Sequence, residues 1–469
     1  METGYRIPRI RVIIKRPNWK KTDSLEEFTI VTFDYSPCSD EDKSKAGAWW
    51  KDAKDYNAKS DGLLSYTYSE SRKDVDSAFT LSITPEQDKN KLTWADKIAQ
   101  WDIVFIEEFN KIRYVGIVHK IRYSTRIGEN GPERTISVEG NGFGELLKRF
   151  QLVLDTKLFI QAPAEIEDLR AKSEFITEGD KSLEGAITFY YEHFKKLISE
   201  RGAGEQSVLK HIIEKYVVFD VDKNCKTFLP ICQNLYQMGV NTIWDILRKI
   251  VPEPMYELFG RWDTKKNKYV IIARQCPYKV DDWKSLPIHK IKPVTLKEAN
   301  IGRDDSDVYT VYYATAPSFG YTNNMVMVVD NLHKNIKIDD DRWKKYGYQP
   351  LSVELSFLKR DDIQPNNVED ALVKIGELLA SWYENNDQYL AGVLSVISYE
   401  DNNATYPTVG NRLNSLGGEF YIDEIKRRWT YGNSPTSDIN VIRGGRYSDD
   451  GKFMGTIPEL SNRLNEIAA

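Results

Sequence analysis

The sequence predicts an α+β chain that is mainly β, and three observations carry that reading. Short segments rich in Val, Ile, Tyr, Phe and Thr recur up to about residue 140 and again from about residue 294. Bounded by Gly, Asp, Asn and Lys turns, such segments read as strands. Between the two stretches the apolar spacing changes to that of helices. The aromatic content, 11 Trp, 27 Tyr and 18 Phe in 469 residues, suits packed β cores.

Taken in order, the first stretch holds RVIIK (11–15), EEFTIVTFD (26–34), LSYTY (64–68), SAFTLSI (77–83), WDIVFIEE (101–108), IRYVGIVHKIRYS (112–124) and RTISVEG (134–140). Their spacing suggests an antiparallel barrel or sandwich. In the last of them Ile136 and Val138 point one way and Thr135, Ser137 and Glu139 the other, the pattern of a half-buried strand. The polar connection from Ser36 to Gly62 is a long surface excursion that interrupts the series.

From about 141 to 290 helices enter. Ile243, Ile246, Leu247 and Ile250 share one helical face behind an approximate capping box of Thr242 and Asp245. A second helix, from about Leu183 to Ile198, buries Ile187, Tyr190 or Tyr191, Phe194 and Leu197, with Ser182 as its N-cap. MYELFG (255–260) and KYVIIAR (268–274) read as two strands joined by a DTKKNK turn. Strand texture returns in DSDVYTVYYATA (305–316), NMVMVVD (324–330), QYLAGVLSVIS (388–398), EFYIDEIKRRWTY (419–431) and SDINVIRG (437–444). One helix interrupts them, with Val368, Leu372, Ile375, Leu379 and Trp382 on its buried face. At the end, Ile457, Leu460, Leu464 and Ile467 form a thin apolar stripe behind a T-x-x-E box at Thr456 and Glu459, a candidate docking peptide.

Length alone gives a prior of about three domains, each able to bury a core. A net charge of −5, from 65 Lys and Arg against 70 Asp and Glu, lacks the basic footprint of a nucleic-acid reader. Cys38, Cys225, Cys232 and Cys276 share no C-x-x-C spacing and are too few for a disulfide scaffold. The opening METGYRIPRIRVIIKRPNW carries Arg and Pro where a signal peptide needs an apolar core, and no run approaches 18 apolar residues. The expectation is a chain made in a cytoplasm, with no stable membrane insertion.

Catalytic constellations are scarce. His119, His193, His211, His289 and His333 include no i, i+4 pair and no H-E-x-x-H frame, and neither a G-x-S-x-G elbow nor a P-loop occurs. Gly140, Gly142 and Gly144 in SVEGNGFGELLKRFQLVLD (137–155) imitate a dinucleotide fingerprint, but the third glycine comes one residue early and the strand belongs to an antiparallel series. Glycine-permitted turning at a barrel edge is the better reading. The acid clusters Asp304, Asp305, Asp307 and Asp339, Asp340, Asp341 do not match the calcium loop and read as solvated turns. Paired carboxylates for glycoside hydrolysis stay open, since their separation is spatial, while the aromatics read as core more readily than as a sugar groove. No catalytic, metal or cofactor site is assigned.

A set of segments in one order rises above this background. WADKIAQWDIVFIEE and YVGIVHKI in the first β stretch are followed by NTIWDILRKIVPEPMYELFG and VIIARQCPY (241–278), IGRDDSDVYTVYY (301–313) and YGYQPLSVE (346–354). Then come SWYENNDQYLAGVL (381–394), YPTVGNRL (406–413), FYIDEIKRRWTYG and TSDINVIRG (436–444). In this order they resemble the central baseplate hub proteins of contractile phage tails and related injection machines, the family of the T-even hub and the late-control D proteins. The resemblance covers about three quarters of the chain. The 36–62 excursion departs from it, and residues 151–235 match loosely.

The resemblance implies two similar antiparallel β-barrel (tube-like) domains with an α+β domain between them. Residues 1–145 would form the first barrel, 146–293 the middle domain, 294–444 the second barrel with an inserted helix, and 445–469 the docking peptide. It implies a non-enzymatic homotrimer without cofactors, whose six barrels imitate a hexameric tube disc. A tail tube or tube-initiator protein would sit above, a trimeric spike below, and baseplate wedge proteins alongside. Such a particle is assembled in the bacterial host cytoplasm, and its acidic lumen would let DNA or other cargo pass without sequence-specific binding. The alternatives are a tail-associated cell-wall hydrolase and a carbohydrate-binding tail module.

Overall fold

Along the first strand Ile10, Val12 and Ile14 are fully buried while Arg11, Ile13 and Lys15 stay half-exposed, so the side-chain alternation of the sequence survives in the fold. The computed structural model describes residues 9–21, 24–35, 62–86, 91–128, 131–149, 151–152, single positions between 184 and 195, 207–222, 241–251, 253–278, 280–303, 305, 307–315, 340–354, 376–383, 385–398 and 406–457. Its first seven strands are β1 (Ile10–Pro17), β2 (Glu27–Tyr35), β3 (Leu63–Ser71), β4 (Ala78–Ile83), β5 (Ile103–Glu108), β6 (Lys111–Gly128) and β7 (Gly131–Gly142). They pair in the order β3-β4-β7-β6-β5-β1-β2, antiparallel throughout.

This sheet is rolled. Its inner face gathers Ile14, Phe33, Tyr66, Leu81, Val104, Ile136 and Val138 into one core that also takes in Trp429. Tyr35, on edge strand β2, meets the rings of Trp429 and Tyr431 at 5.2 and 5.1 Å. Trp429 lies on the strand beyond β3, seven steps along the ladder from β2. At the usual strand spacing a flat sheet would hold them about 34 Å apart. Curvature therefore brings the edges together. Among the described residues the closure is by side-chain packing, because β3 pairs with the strand Gly418–Thr430 instead of β2; no closed hydrogen-bonded barrel forms.

The middle of the chain contributes β8 (Gln151–Leu152), β9 (Val217–Val221), β10 (Asn241–Thr242), β11 (Tyr256–Asp263) and β12 (Lys268–Gln275), with helices at Val208–Tyr216 and Ile243–Ile250. The second helix starts as its sequence predicts: the Thr242 hydroxyl accepts from the Asp245 N–H, and the Asp245 carboxylate accepts back from Thr242. Its Ile243, Ile246 and Leu247 are buried. β11 pairs antiparallel with β12, and β12 pairs parallel with β9. Alternation then divides this ribbon. Leu258, Ile271 and Ala273 pack with the helices and with Ile103, Phe105, Val115 and Ile117 on the outer face of the first roll, whereas Phe259, Val270 and Ile272 enter the second core.

That second core is built by β13 (Ile288–Lys290), β14 (Leu296–Gly302), β17 (Leu390–Ile397), β18 (Arg412–Ser415), β19 (Gly418–Thr430), β20 (Thr436–Tyr447) and β21 (Phe453–Gly455). The order is β14-β17-β20-β19-β18-β13, with β21 on β20; β13 and β18 run parallel. β19 serves both halves. Its start pairs with β18, and Glu424–Thr430 pair with Ser71–Ser65 of β3, which merges the strands of the first roll and of the second core into one 14-stranded sheet. Short strands β15 (Val311–Thr315) and β16 (Pro350–Glu354) stand apart as a parallel pair.

Two expectations need adjustment. Among the described residues of 305–316, only Val311–Thr315 is strand; ahead of it the Thr310 hydroxyl donates to the Gly347 carbonyl and accepts from the Gln349 N–H. Gly140 and Gly142 do not turn the chain but lie inside β7, where a Cβ on Gly140 would stand 2.0 Å from the Ile117 carbonyl and 2.6 Å from the Phe79 ring. The described positions of the 183–198 helix are helical, with Ile187 and Phe194 buried, and Leu379 and Trp382 are buried on the 376–383 helix. The 324–330 strand, Tyr190, Leu197, Val368, Leu372, Ile375 and most of the 36–62 excursion lie outside the described residues. Among the described residues no helix is long and apolar enough to cross a membrane.

Candidate functional site

The distinctive chemistry lies where the first roll, the middle ribbon and the second core meet. Inward positions of β19 alternate as Ile425, Arg427 and Trp429, so strand geometry alone drives a guanidinium toward the core. Arg427 reaches Glu108 of β5 at 3.8 Å, and Glu108, fully buried, also accepts from the Tyr66 hydroxyl at 2.7 Å. The Tyr406 ring lies between two cations, with Arg113 3.3 Å and Arg427 4.5 Å from its centroid. Glu70 on β3 accepts from the Trp262 N–H, and burial raises its pKa against the pull of that bond and of Arg427.

A second cluster centres on Glu257 of β11, which is 1% exposed. It accepts from Arg274 at 2.8 Å, from Arg72 at 3.2 Å and from the Tyr421 hydroxyl at 2.6 Å. Arg72 also holds Asp423 at 3.0 Å, and Arg274 donates to Tyr421. Burial works against the charge on Arg72, but Glu257, Tyr421 and Asp423 outweigh it and raise its pKa. One carboxylate thus ties the first roll through Arg72, the ribbon through Arg274 and β19 through Tyr421. Two cations face two anions, so the seam is nearly neutral. The hydrogen bonds around Glu257 make it a fixed joint, since removing its carboxylate strands a buried guanidinium.

A separate feature is a half-open cleft of about 600 Å³ on the outer face of β4, β7 and β6, walled by Trp101 and by the helix Glu145–Arg149. His119 is paired with Glu145 and accepts at Nδ1 from Arg149 in the tautomer this implies. Burial would raise the Glu145 pKa, but the bond from His119 prevails and lowers it. Arg149 in turn lies 4.6 Å from the centre of the Trp101 indole.

The sequence candidates disperse. Ile457 is buried in the second core, where its side chain meets the position a Cβ on Gly418 would take; Leu460, Leu464 and Ile467 lie outside the described residues. Buried His289 sits among Thr408 and Asn411, His211 lies 3.9 Å from Glu214 on its own helix, and His193 and His333 are outside the described residues. Cys276 is buried 3.8 Å from Glu257. Asp304 and Asp339 lie outside the described residues. Among the described residues no group of three or more His, Cys, Asp or Glu converges on a metal position. The seam itself escaped notice, although parity carried the signal: Glu70 follows Tyr66 and Tyr68, Glu108 follows Val104 and Ile106, and Arg427 lies between Ile425 and Trp429. A charge in phase with a core-facing series marks a buried ion.

No family model and no curated protein matches the chain. Solved structures do. The tail protein from Neisseria meningitidis MC58 is similar with a TM-score of 0.46 at 11% identity, over 81% of this chain and 92% of that one. The 43 kDa tail protein of prophage MuSo2 from Shewanella oneidensis gives 0.48 at 11%, over 92% and 98%. The E. coli c3393 protein, described as a component of the type VI secretion system, gives 0.32 at 9%, over 85% and 77%. These three neighbours are described as two tail proteins and a type VI secretion component.

Proposed function

We propose that the chain is a structural hub of a phage-type baseplate. Three copies form a pseudo-sixfold ring that joins a hexameric tail tube to a trimeric spike and leaves a lumen for cargo or DNA. The observation that supports this reading is one chain with two β-rich halves, each with its own core, fused edge to edge through β3 and β19. A threefold ring that must meet a sixfold tube needs two near-equivalent surfaces per subunit, held at a constant angle. In this reading the two fused halves present those surfaces, and the Glu257 and Glu108 clusters hold the angle between them.

In this reading the chain catalyses nothing. The densest sets of polar side chains are buried and mutually paired, an arrangement that stiffens a joint and offers no access to substrate. Tube, spike and wedge proteins are its partners in the particle. The test is the assembly state of the purified full chain at about 10 μM, by mass photometry and negative-stain electron microscopy. The expected species has three times the 54.2 kDa chain mass and six lobes around a hole. A stable monomer, or a ring of another order, rejects the hub.

A further inference from the structure

The geometry points to a saccharide subsite in the cleft on β4, β7 and β6, because an indole held in a strained backbone, exposed amide, hydroxyl and ammonium groups and the half-buried Glu139 carboxylate line one space. At about 600 Å³ the space falls within the ~300–1,000 Å³ of small-molecule sites. This inference stands apart from the ring and needs no particular oligomer.

The indole is presented at a conformational cost. Trp101 has φ +71°, a left-handed backbone that bulky residues rarely adopt. The surroundings enforce it: the Trp101 N–H donates to the Val118 carbonyl at 2.8 Å. Next to it the buried Asp102 carboxylate accepts from Arg16 at 2.8 and 2.9 Å and from the Ala99 N–H at 2.8 Å. Strain that the scaffold over-determines in this way is characteristic of binding sites. Gln100, the neighbouring residue, is exposed on the rim, as are Thr80 and Lys120 on the strands. Beneath the cleft Gly140 lets β7 pass close over the buried Phe79 ring, on the inner side of the sheet.

Charge narrows the ligand class. Lys120 and Arg149 are offset by Glu139 and Glu145, which leaves the cleft close to neutral and unsuited to a polyphosphate or a polycation. A sugar matches what remains. Its hydroxyls, donor and acceptor at once, suit Gln100, Thr80, Glu139 and Lys120, and its C–H groups suit the indole beside them, over which Arg149 already lies at 4.6 Å.

The test titrates the full chain with chitotetraose, maltotetraose and cellotetraose, and with tripolyphosphate as the anionic probe, following tryptophan fluorescence and saturation-transfer NMR. At least one neutral oligosaccharide is expected to bind with Kd of about 1 mM or tighter. Thr80→Arg, at an exposed strand position that fills the cleft, and Glu139→Gln should each weaken that binding about tenfold or more, with the melting transition of the parent. Trp101→Phe should reduce the fluorescence response. The inference fails if none of the three oligosaccharides binds at about 20 mM, if both variants bind as the parent does, or if tripolyphosphate binds in their place. Mass photometry on the same samples reports the ring independently.

Discussion

Replacing Glu257 by Gln keeps the shape of the side chain and removes its charge from the centre of the seam. The carboxylate is 1% exposed, while the guanidinium side chains it holds, Arg72 and Arg274, are 14% and 16% exposed. Net worth is roughly 1.5–3 kcal/mol for a hydrogen bond to a charged group. Arg274 loses its carboxylate outright, whereas Arg72 retains Asp423 at 2.9 Å. The expected cost is therefore about 4 kcal/mol, within the range for taking one partner from a buried pair. The seam is one joint in a chain with several cores, so the most direct readout is local. Hydrogen exchange of peptides covering β3, β11 and β19 should accelerate about a thousandfold, at about 1.4 kcal/mol per decade. Combining Glu257→Gln with Arg274→Met should cost less than the sum of the two changes, since the second removes the stranded cation. Acceleration below about tenfold, or simple additivity, would refute the account of the seam as a charge-locked joint.

Gly140→Ala places a methyl 2.0 Å from the Ile117 carbonyl and against Phe79, and should cost about 3 kcal/mol, visible as a lower melting temperature; an unchanged melt would contradict the close approach. Trp429→Ala empties the contact in which its ring stacks on Tyr66 at 5.7 Å, and should cost about 4 kcal/mol, with faster exchange in β3 as the local sign. Asp76 has its pKa raised to about 6, by burial foremost and against the attraction of Lys148 3.9 Å away. The folded state then binds more protons between about pH 4 and pH 6, so this residue lowers stability as pH rises through that window. Asp76→Asn should relieve about 1 kcal/mol at about pH 7.5, a figure reduced for the partial exposure of the group, and nothing below about pH 4. Denaturant midpoints at both pH values decide it, and an equal effect at both would dismiss the titration.

The alternation of residues was sufficient to mark nearly every described strand of the first roll, because a half-buried strand must present opposite faces to oil and water at a period of two. The helix at Ile243–Ile250 was legible down to its capping box for the same reason: both partners lie within one turn. Pairing was not legible. That β3 joins β19, some 350 residues later, depends on which edges curvature leaves adjacent, and no local pattern records it. The same holds for Glu257, whose neighbours Arg72, Arg274 and Tyr421 come from three parts of the chain. Parity in the sequence determined that certain charges would face inward; only the tertiary structure decided which opposite charges would meet them, because a buried ion is neutralised by whatever lies within a few ångströms in space, at any distance along the chain.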